Sequence, residues 1–298
     1  MIKVCLVGLG KTGIEIAKVL QSIEDIKIVA AVCSPGSSKE GKDLGQVLVC
    51  ADMDIPVESS DNIEQIVFRT KPDVAIDFTS PSATLRNARI FSRMKVNLVI
   101  GTTGFSDMSR KKLFVLTRKY HNGIVYAPNI TLGVNVLMLL SNLASCILNN
   151  YDFQITEIHH KYKKDSPSGT ALKIAGEIKK GLVHAGINED KISVPITAIR
   201  AGGVVGKHEV MIVGDDDKIE ISHESFSRRA FALGAVKAVR FIYRNPGYYE
   251  MNDVLDLGKV FAEYAQREEG IARRRKNHYK VPFAEVKESV DQADDMSV

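Results

Sequence analysis

The chain opens on a short apolar block at 2–7, continues into an apolar-periodic stretch at 14–20, and reaches a second apolar block at 26–32. Short apolar blocks bounded by turn residues predict buried strands, and the periodic stretch between them predicts a helix. The same pattern repeats as helix 62–69, strand 73–78, helix 82–94, strand 97–100, helix 108–120 and strand 124–126. Strands and helices taken in turn predict a parallel, doubly wound sheet.

The pattern then changes. A long apolar helix is predicted at 132–149 and a strand at 151–158, with Phe153, Ile155 and Tyr151 on one face. Ala171, Ile174, Ala175, Ile178 and Leu182 recur at helical spacing, and Pro167 followed by Ser168 predicts a helix start at Ser168-Gly169-Thr170. Three β-like segments follow at 194–201, 206–213 and 218–226, separated by Gly202-Gly203 and by a charged turn at 214–217. With 151–158 they predict an open mixed sheet carrying the preceding helix across one face. A helix at 227–243 leads back towards the first part. The acidic run Asp215-Asp216-Asp217 fits a hairpin tip better than a metal site.

The turn after the first strand reads Gly8-Leu9-Gly10-Lys11-Thr12-Gly13. Glycines spaced G-x-G-x-x-G between a strand and a helix allow a tight bend and close approach of a pyrophosphate. The fold class expected is therefore α/β: a Rossmann-like doubly wound parallel sheet, plus an α+β substrate and oligomerisation domain built on the open mixed sheet. The expected division is 1–129 with 238–262 for the dinucleotide-binding domain, 130–237 for the second domain, and a C-terminal extension at 263–298. Where an NAD-specific fold carries an acid, the tip of the second strand reads Cys33-Ser34-Pro35-Gly36-Ser37-Ser38-Lys39. Missing acid, three hydroxyls and Lys39 suit a 2′-phosphate, and Lys11 would add charge. Ligands in such sheets lie beyond the carboxyl ends of strands, which places the turns Asp77-Phe78-Thr79 and Gly101-Thr102-Thr103-Gly104 at the cofactor crevice.

Composition narrows the picture without redirecting it. With 298 residues, 45% hydrophobic and 26% charged, the chain can bury the core of two domains. A net charge of +4 makes no case for nucleic acid. The cysteines at 5, 33, 50 and 146 lack metal-ligand spacing, and no metal is expected. Met1 leads straight into a strand pattern, and the longest apolar run, 134–148, is interrupted by Ser141, Asn142 and Ser145. No membrane association and a cytoplasmic location are expected.

The richest chemistry lies at 157–171, where two adjacent histidines, three lysines and a hydroxyl-rich helix start share one strand-loop-helix unit. Each piece has a plain structural explanation: a surface histidine, a solvated lysine loop, a helix cap. Their convergence points instead to a site for a small carboxylate-bearing substrate, because a helix start is an anion site and an imidazole can deliver a proton.

The same stretch, Glu157-x-His159-His160-x-x-Lys163-x-Asp165-x-Pro167-Ser168-Gly169-Thr170-Ala171, resembles the signature of the dihydrodipicolinate reductase family, and the resemblance runs from about 2 to 257. It implies reduction of 4-hydroxy-tetrahydrodipicolinate, a small cyclic imine with two carboxylates, to tetrahydrodipicolinate by NADPH and/or NADH in diaminopimelate and lysine biosynthesis. His159 then matches the proton donor and Lys163 the second catalytic residue. His160 is expected on one substrate carboxylate, and Ser168, Gly169 and Thr170 on the other. For the cofactor the resemblance implies the Gly8–Gly13 turn, the Ser34 region, Phe78-Thr79, Gly101-Thr102-Thr103 and Ala127-Pro128-Asn129. It also implies a homotetramer assembled through the open sheet. The chain departs from the family in a glycine turn one residue shorter, in Lys11 where arginine is usual, and in a tail without counterpart that contains Arg273-Arg274-Arg275-Lys276. Two alternatives remain at this stage. One is a paralogous amino- or imino-acid reductase resembling 2,4-diaminopentanoate dehydrogenases; the other is a non-catalytic nucleotide-sensing protein.

Overall fold

Strand β1 (Ile2–Val7) is buried at every position but Lys3, which is what apolar side chains on both faces of a central strand require. A computed structural model describes the chain at residues 1–256, 258–260, 262–264 and 266–267. From β1 the chain turns into α1 (Lys11–Leu20), β2 (Ile26–Cys33), the short α2 (Leu44–Leu48), β3 (Val57–Ser59) and α3 (Ile63–Thr70). It then alternates through β4 (Val74–Asp77), α4 (Pro81–Arg93), β5 (Asn97–Ile100), α5 (Asp107–Tyr120) and β6 (Gly123–Tyr126). The second part holds α6 (Leu132–Ile147), β7 (Asp152–His159), α7 (Gly169–His184), β8 (Ile196–Arg200), β9 (Gly206–Val213) and β10 (Lys218–Ser225). The chain returns through α8 (Arg229–Ile242), β11 (Gly247–Tyr249) and α9 (Met251–Leu255).

Seven strands form one sheet in the order β11-β6-β5-β4-β1-β2-β3, with every pairing parallel. The expected doubly wound sheet is present, and its strand order reverses between β1 and β4. Ligands of open α/β sheets bind at such a reversal, beyond the carboxyl ends of the strands. One face packs on α1 and α8 through residues such as Ile16, Leu20, Ala235 and Val239. The other packs on α3, α4 and α5 through Ile66, Phe91 and Leu113.

The second sheet has the order β10-β9-β7-β8 and is mixed, β7 pairing in parallel with β8 and antiparallel with β9. Helices α6 and α7 cover one face, where Leu137, Ile174 and Ile178 meet Phe153, Ile155, Val210 and Ile212. Gln154, Thr156 and Ile158 point to the opposite face and stay half-exposed, as an open sheet was expected to show. Both sheets lie within Met1–Val254, one compact unit.

Three short elements, α2, β3 and β11, carry no periodic signal of their own. The Asp43 carboxylate holds the first of them in place, accepting from the backbone N–H groups of Gly45, Met53 and Ile55 at 2.7–2.8 Å. The described positions between 258 and 267 are helical. The basic run at 273–276 lies outside the described residues.

Candidate active site

Strand β7 alternates strictly, so Phe153, Ile155, Glu157 and His159 all face α6 and α7. An apolar face that ends in a carboxylate and an imidazole must satisfy both, because an unpaired buried charge is very costly. Glu157 has no exposed side-chain surface and engages three donors. One oxygen pairs with Nδ1 of His159. The other accepts from the Ser168 N–H at 3.0 Å and from the Arg200 guanidinium at 2.7 Å. Burial alone would raise the Glu157 carboxyl, but Arg200, the Ser168 N–H and His159 hold it below the usual carboxylate range. With Nδ1 committed to Glu157, the other nitrogen of His159 is the one left for the cavity, and His159 does line it. Burial lowers the His159 pKa, Glu157 works against that shift, and Lys163 adds to it.

His208 stands directly across from Glu157 on β9, with its ring edge-on to His159 at 5.1 Å. Its Nε2 lies 3.4 Å from the Ser168 hydroxyl, and burial pushes its pKa down to about 3. His223, opposite His208 on β10, is also lowered by burial. Glu157, His159 and His208 bring ligand-type atoms within 4.8 Å of one another. Both Glu157 oxygens are already engaged, so the trio is best described as a hydrogen-bonded network.

His159, His208 and His223 border a cavity of about 460 Å³ that opens between the two sheets. His159, His160, Lys163 and Thr170 line one side of it, and Lys11, Phe78, Thr103, Pro128 and Asn129 line the other. Gly10, Thr12 and Gly13 complete the wall at the start of α1, a helix end without a side-chain cap. Thr170 Oγ1 donates to Asn129 Oδ1 at 2.6 Å, joining residues expected separately on the substrate and cofactor sides. Lys163 is paired with Asp165 at 2.8 Å. A second cavity, of about 390 Å³, is lined by Gly8, Leu9, Ser34 and Thr79 and shares Gly10 with the first.

Ser168, Gly169, Gly101, Thr102 and Ala127 line neither cavity. Ser168 is 1% exposed, and its hydroxyl accepts from the Ala171 N–H as the cap of α7. Gly169 sits exposed on the first turn of α7. A Cβ at Gly101 would lie 2.1 Å from the Phe78 ring, so that glycine makes room for Phe78. Thr102 is buried, its hydroxyl bonded within the Asp77, Thr79 and Thr84 network, and Ala127 is buried as well. Lys11 lines the larger cavity and not the one beside Ser34 and Lys39. Sequence reasoning missed Arg200, His208, His223, Arg228 and Phe231, all but Arg200 on the larger cavity's wall. Their signal was parity: Arg200, His208 and His223 fall on the inward positions of strands whose other inward residues are mainly apolar.

The residues present fit a dinucleotide. Gly10 has no atom within 4 Å of where a Cβ would stand and borders both cavities. Gly13 packs so closely on the Gly8 carbonyl that a Cβ there would lie 1.9 Å from it. An uncapped helix start with open glycine backbone is an anion seat.

The family described as "Dihydrodipicolinate reductase, N-terminus" matches residues 2–130, and "Dihydrodipicolinate reductase, C-terminus" matches 133–255. A relative from Methanocaldococcus jannaschii, named 4-hydroxy-tetrahydrodipicolinate reductase, is 36% identical over 272 residues, which is 87% of this chain and 99% of that one. One of the same name from Methanopyrus kandleri is 38% identical over 273 residues, 87% of this chain and 98% of that one. Among solved structures, a dipicolinate-bound dihydrodipicolinate reductase from Paenisporosarcina sp. TG-14 matches with a TM-score of 0.68 at 25% identity, covering 84% of this chain and 97% of that one. An amine dehydrogenase from Mycobacterium smegmatis shares the fold alone, with a TM-score of 0.61 at 15% identity, covering 83% of this chain and 94% of that one.

Proposed function

The chain belongs to the dihydrodipicolinate reductase family, and from that premise we propose that it reduces 4-hydroxy-tetrahydrodipicolinate to tetrahydrodipicolinate with NADPH and/or NADH. The reaction consumes one hydride and one proton and releases water, within diaminopimelate and lysine biosynthesis. The observation that carries this reading is one cavity shared by a Glu157-anchored histidine, a lysine and an uncapped helix start. The family match favours it over the 2,4-diaminopentanoate dehydrogenase-like alternative.

When bound, the reduced nicotinamide supplies the hydride. Gly8, Gly10 and the α1 start would hold its pyrophosphate, and Phe78, Thr103, Pro128 and Asn129 would border its nicotinamide end. The protein's own task is to seat a dianion and deliver a proton. Lys163, His160 and Thr170 face the carboxylates, and Gly169 leaves the start of α7 open beside them. His159 holds the proton on the nitrogen directed to the cavity, while Glu157 accepts from the other nitrogen and stabilises the imidazolium. Substrate carboxylates would offset the Lys163 charge that disfavours protonation of His159, so binding itself favours the proton-carrying form. In the same reading, 1–129 with 238–262 binds the dinucleotide and 130–237 binds substrate. Copies of the chain then assemble as a homotetramer through the uncovered face of the β10-β9-β7-β8 sheet, in the cytoplasm.

The test is a coupled assay. Dihydrodipicolinate synthase with pyruvate and aspartate semialdehyde generates the substrate, and loss of nicotinamide absorbance reports turnover. Rapid oxidation by the wild type, falling by roughly two or more orders of magnitude in His159→Gln, is the expected result. A wild type that binds the nicotinamide nucleotide yet gives no turnover would overturn the reading.

A further inference from the structure

The loop that carries Lys163 is held in place with little burial. Positions 161, 162 and 164–166 are exposed, so apolar packing does not fix them. Without ties of another kind, ordering Lys163 would cost the conformational entropy of the whole loop. The start of the loop is tied by backbone. The Ala201 N–H donates to the His159 carbonyl at 2.9 Å, and the Lys161 N–H to the Gly202 carbonyl at 3.3 Å. Its end is tied by the Ser168 N–H on Glu157. Among the described residues, one side chain from outside the loop bonds within 161–167. It is Arg200, which donates to the Asp165 carbonyl.

Strand register explains the reach of this side chain. Arg200 ends β8 and is the partner of His159 in the parallel β7–β8 pairing, so the two side chains share a face. Its Nη2 carries two hydrogens. One goes to Glu157 Oε1 at 2.7 Å and the other to the Asp165 carbonyl, while Nη1 donates to the Ile199 carbonyl at 2.8 Å. Glu157 pairs through its second oxygen with His159, and Asp165 pairs through its carboxylate with Lys163 at 2.8 Å. Arg200 is thus the middle member of a continuous chain that runs Lys163, Asp165, Arg200, Glu157, His159. A planar guanidinium offers its donors in fixed directions, which an ammonium does not.

We infer that Arg200 is a positioning residue for the reduction, fixing through one nitrogen both the place of Lys163 and the charge that the Glu157–His159 pair meets. The inference rests on the reductase reading for the reaction it serves. Arg200 lines neither cavity, so it acts through its neighbours. Its two effects have separate origins: the guanidinium fork holds the loop, and the charge bears on the imidazole. His159 meets Glu157 on its own strand, Arg200 on β8, His208 on β9 and Lys163 from the loop. Lys11, His223 and Arg228 line the rest of the cavity. Glu157 favours the imidazolium, whereas Arg200 and Lys163 oppose it. Removing the Arg200 charge therefore raises the His159 pKa. A proton donor works in its protonated form, so the fall of kcat/KM with rising pH moves to higher pH.

The experiment compares the full-length wild type with Arg200→Lys and Arg200→Gln. Three readouts are taken: coupled turnover across pH, deuterium exchange of the 161–167 amides, and the His159 ring titration by NMR. The lysine variant keeps the charge and gives up the fork. Its KM for the substrate should rise about fivefold or more with kcat within roughly threefold, while the pH limb stays in place. Its loop amides should exchange about tenfold faster. The glutamine variant gives up both, so it should show the same losses and also a limb and a His159 titration moved to higher pH. Should Arg200→Gln fail to fold with Glu157 left unpaired, Arg200→Lys alone decides. Wild-type KM and loop exchange in Arg200→Lys overturn the inference. So does a pH limb in folded Arg200→Gln that superimposes on the wild type, because a merely structural arginine moves Tm alone. Exchange and NMR need no substrate. A wild type that fails the coupled assay loses the reductase reading, while the loop and the His159 titration still decide this one. A wild type that turns over, with variants that change neither, keeps that reading and loses this inference.

Discussion

Replacing Glu157 by glutamine keeps the shape of the buried side chain and removes its charge. In the wild type that charge meets an imidazole, a guanidinium and a backbone N–H with no exposed surface of its own. Two unit charges about 4 Å apart interact by about 4 kcal/mol at an effective dielectric near 20. This attraction favours the imidazolium, whereas burial and Lys163 disfavour it. Losing it and leaving Arg200 uncompensated should cost the imidazolium about 2–4 kcal/mol, or roughly 30- to 1,000-fold in population at fixed pH. Turnover in Glu157→Gln should therefore fall by about a hundredfold. The sign of the pH effect follows from the role of His159 as donor. Activity requires the protonated ring, so kcat/KM falls as pH rises through the His159 pKa. That limb should already lie on the acid side of an ordinary histidine, and in Glu157→Gln it should move further to low pH. The assay is the coupled turnover across the range in which imidazoles titrate, with nucleotide binding as a control. Glu157→Gln should also lower Tm, since it leaves a buried cation unpaired. Adding Arg200→Met should recover stability without recovering rate. A pH limb in Glu157→Gln that superimposes on the wild type would refute the reasoning, because a purely structural Glu157 moves stability alone.

Three further outcomes are expected. His208, His223 and His159 all have folded pKa values below the ordinary histidine value, so the unfolded chain binds more protons as pH falls below about 6.5. Stability should decline with acidification by up to roughly 1.4 kcal/mol per pH unit for each of these histidines. For His208 the decline continues to about pH 3, and His208→Gln should flatten the slope in denaturant titrations taken at several pH values. Gly101→Ala places a methyl 2.1 Å from the Phe78 ring; it should destabilise the fold by about 1–3 kcal/mol and weaken nucleotide binding roughly tenfold, as read by calorimetry. Thr170→Val removes the hydrogen bond to Asn129 and should raise KM for the substrate about tenfold with little change in Tm, since the residue sits on the cavity wall; an unchanged KM would remove Thr170 from the substrate side.

The parallel sheet was legible because β1, β2, β4, β5 and β6 are buried on both faces and read as short apolar blocks between glycine or polar turns. The strand-loop-helix unit at 157–171 was legible for local reasons: alternation in β7, a capping Ser168 and helical spacing from Ala171. Arg200, His208 and His223 were not, since each reaches the site through cross-strand register on β8, β9 or β10, and register is a long-range property. Arg228 and Phe231 arrive from the start of α8, far along the chain. The elements α2, β3 and β11 exist because distant groups complete their hydrogen bonds, Asp43 being the plainest case. The placement of Lys11 shows a subtler limit. The motif locates the residue on the glycine turn, but only the packed structure decides which side of the turn its side chain takes.

The bond from Thr170 to Asn129 joins the start of α7 to the turn after β6. A ligand that pulls on either residue does work on the other. Thermodynamic linkage then requires that each of two ligands change the affinity of its companion by the same factor. Saturating the chain with one of them should shift the dissociation constant of the other, and Thr170→Val should erase that mutual shift in both directions. A single hydroxyl would thus set how strongly the two occupants of the cleft sense each other.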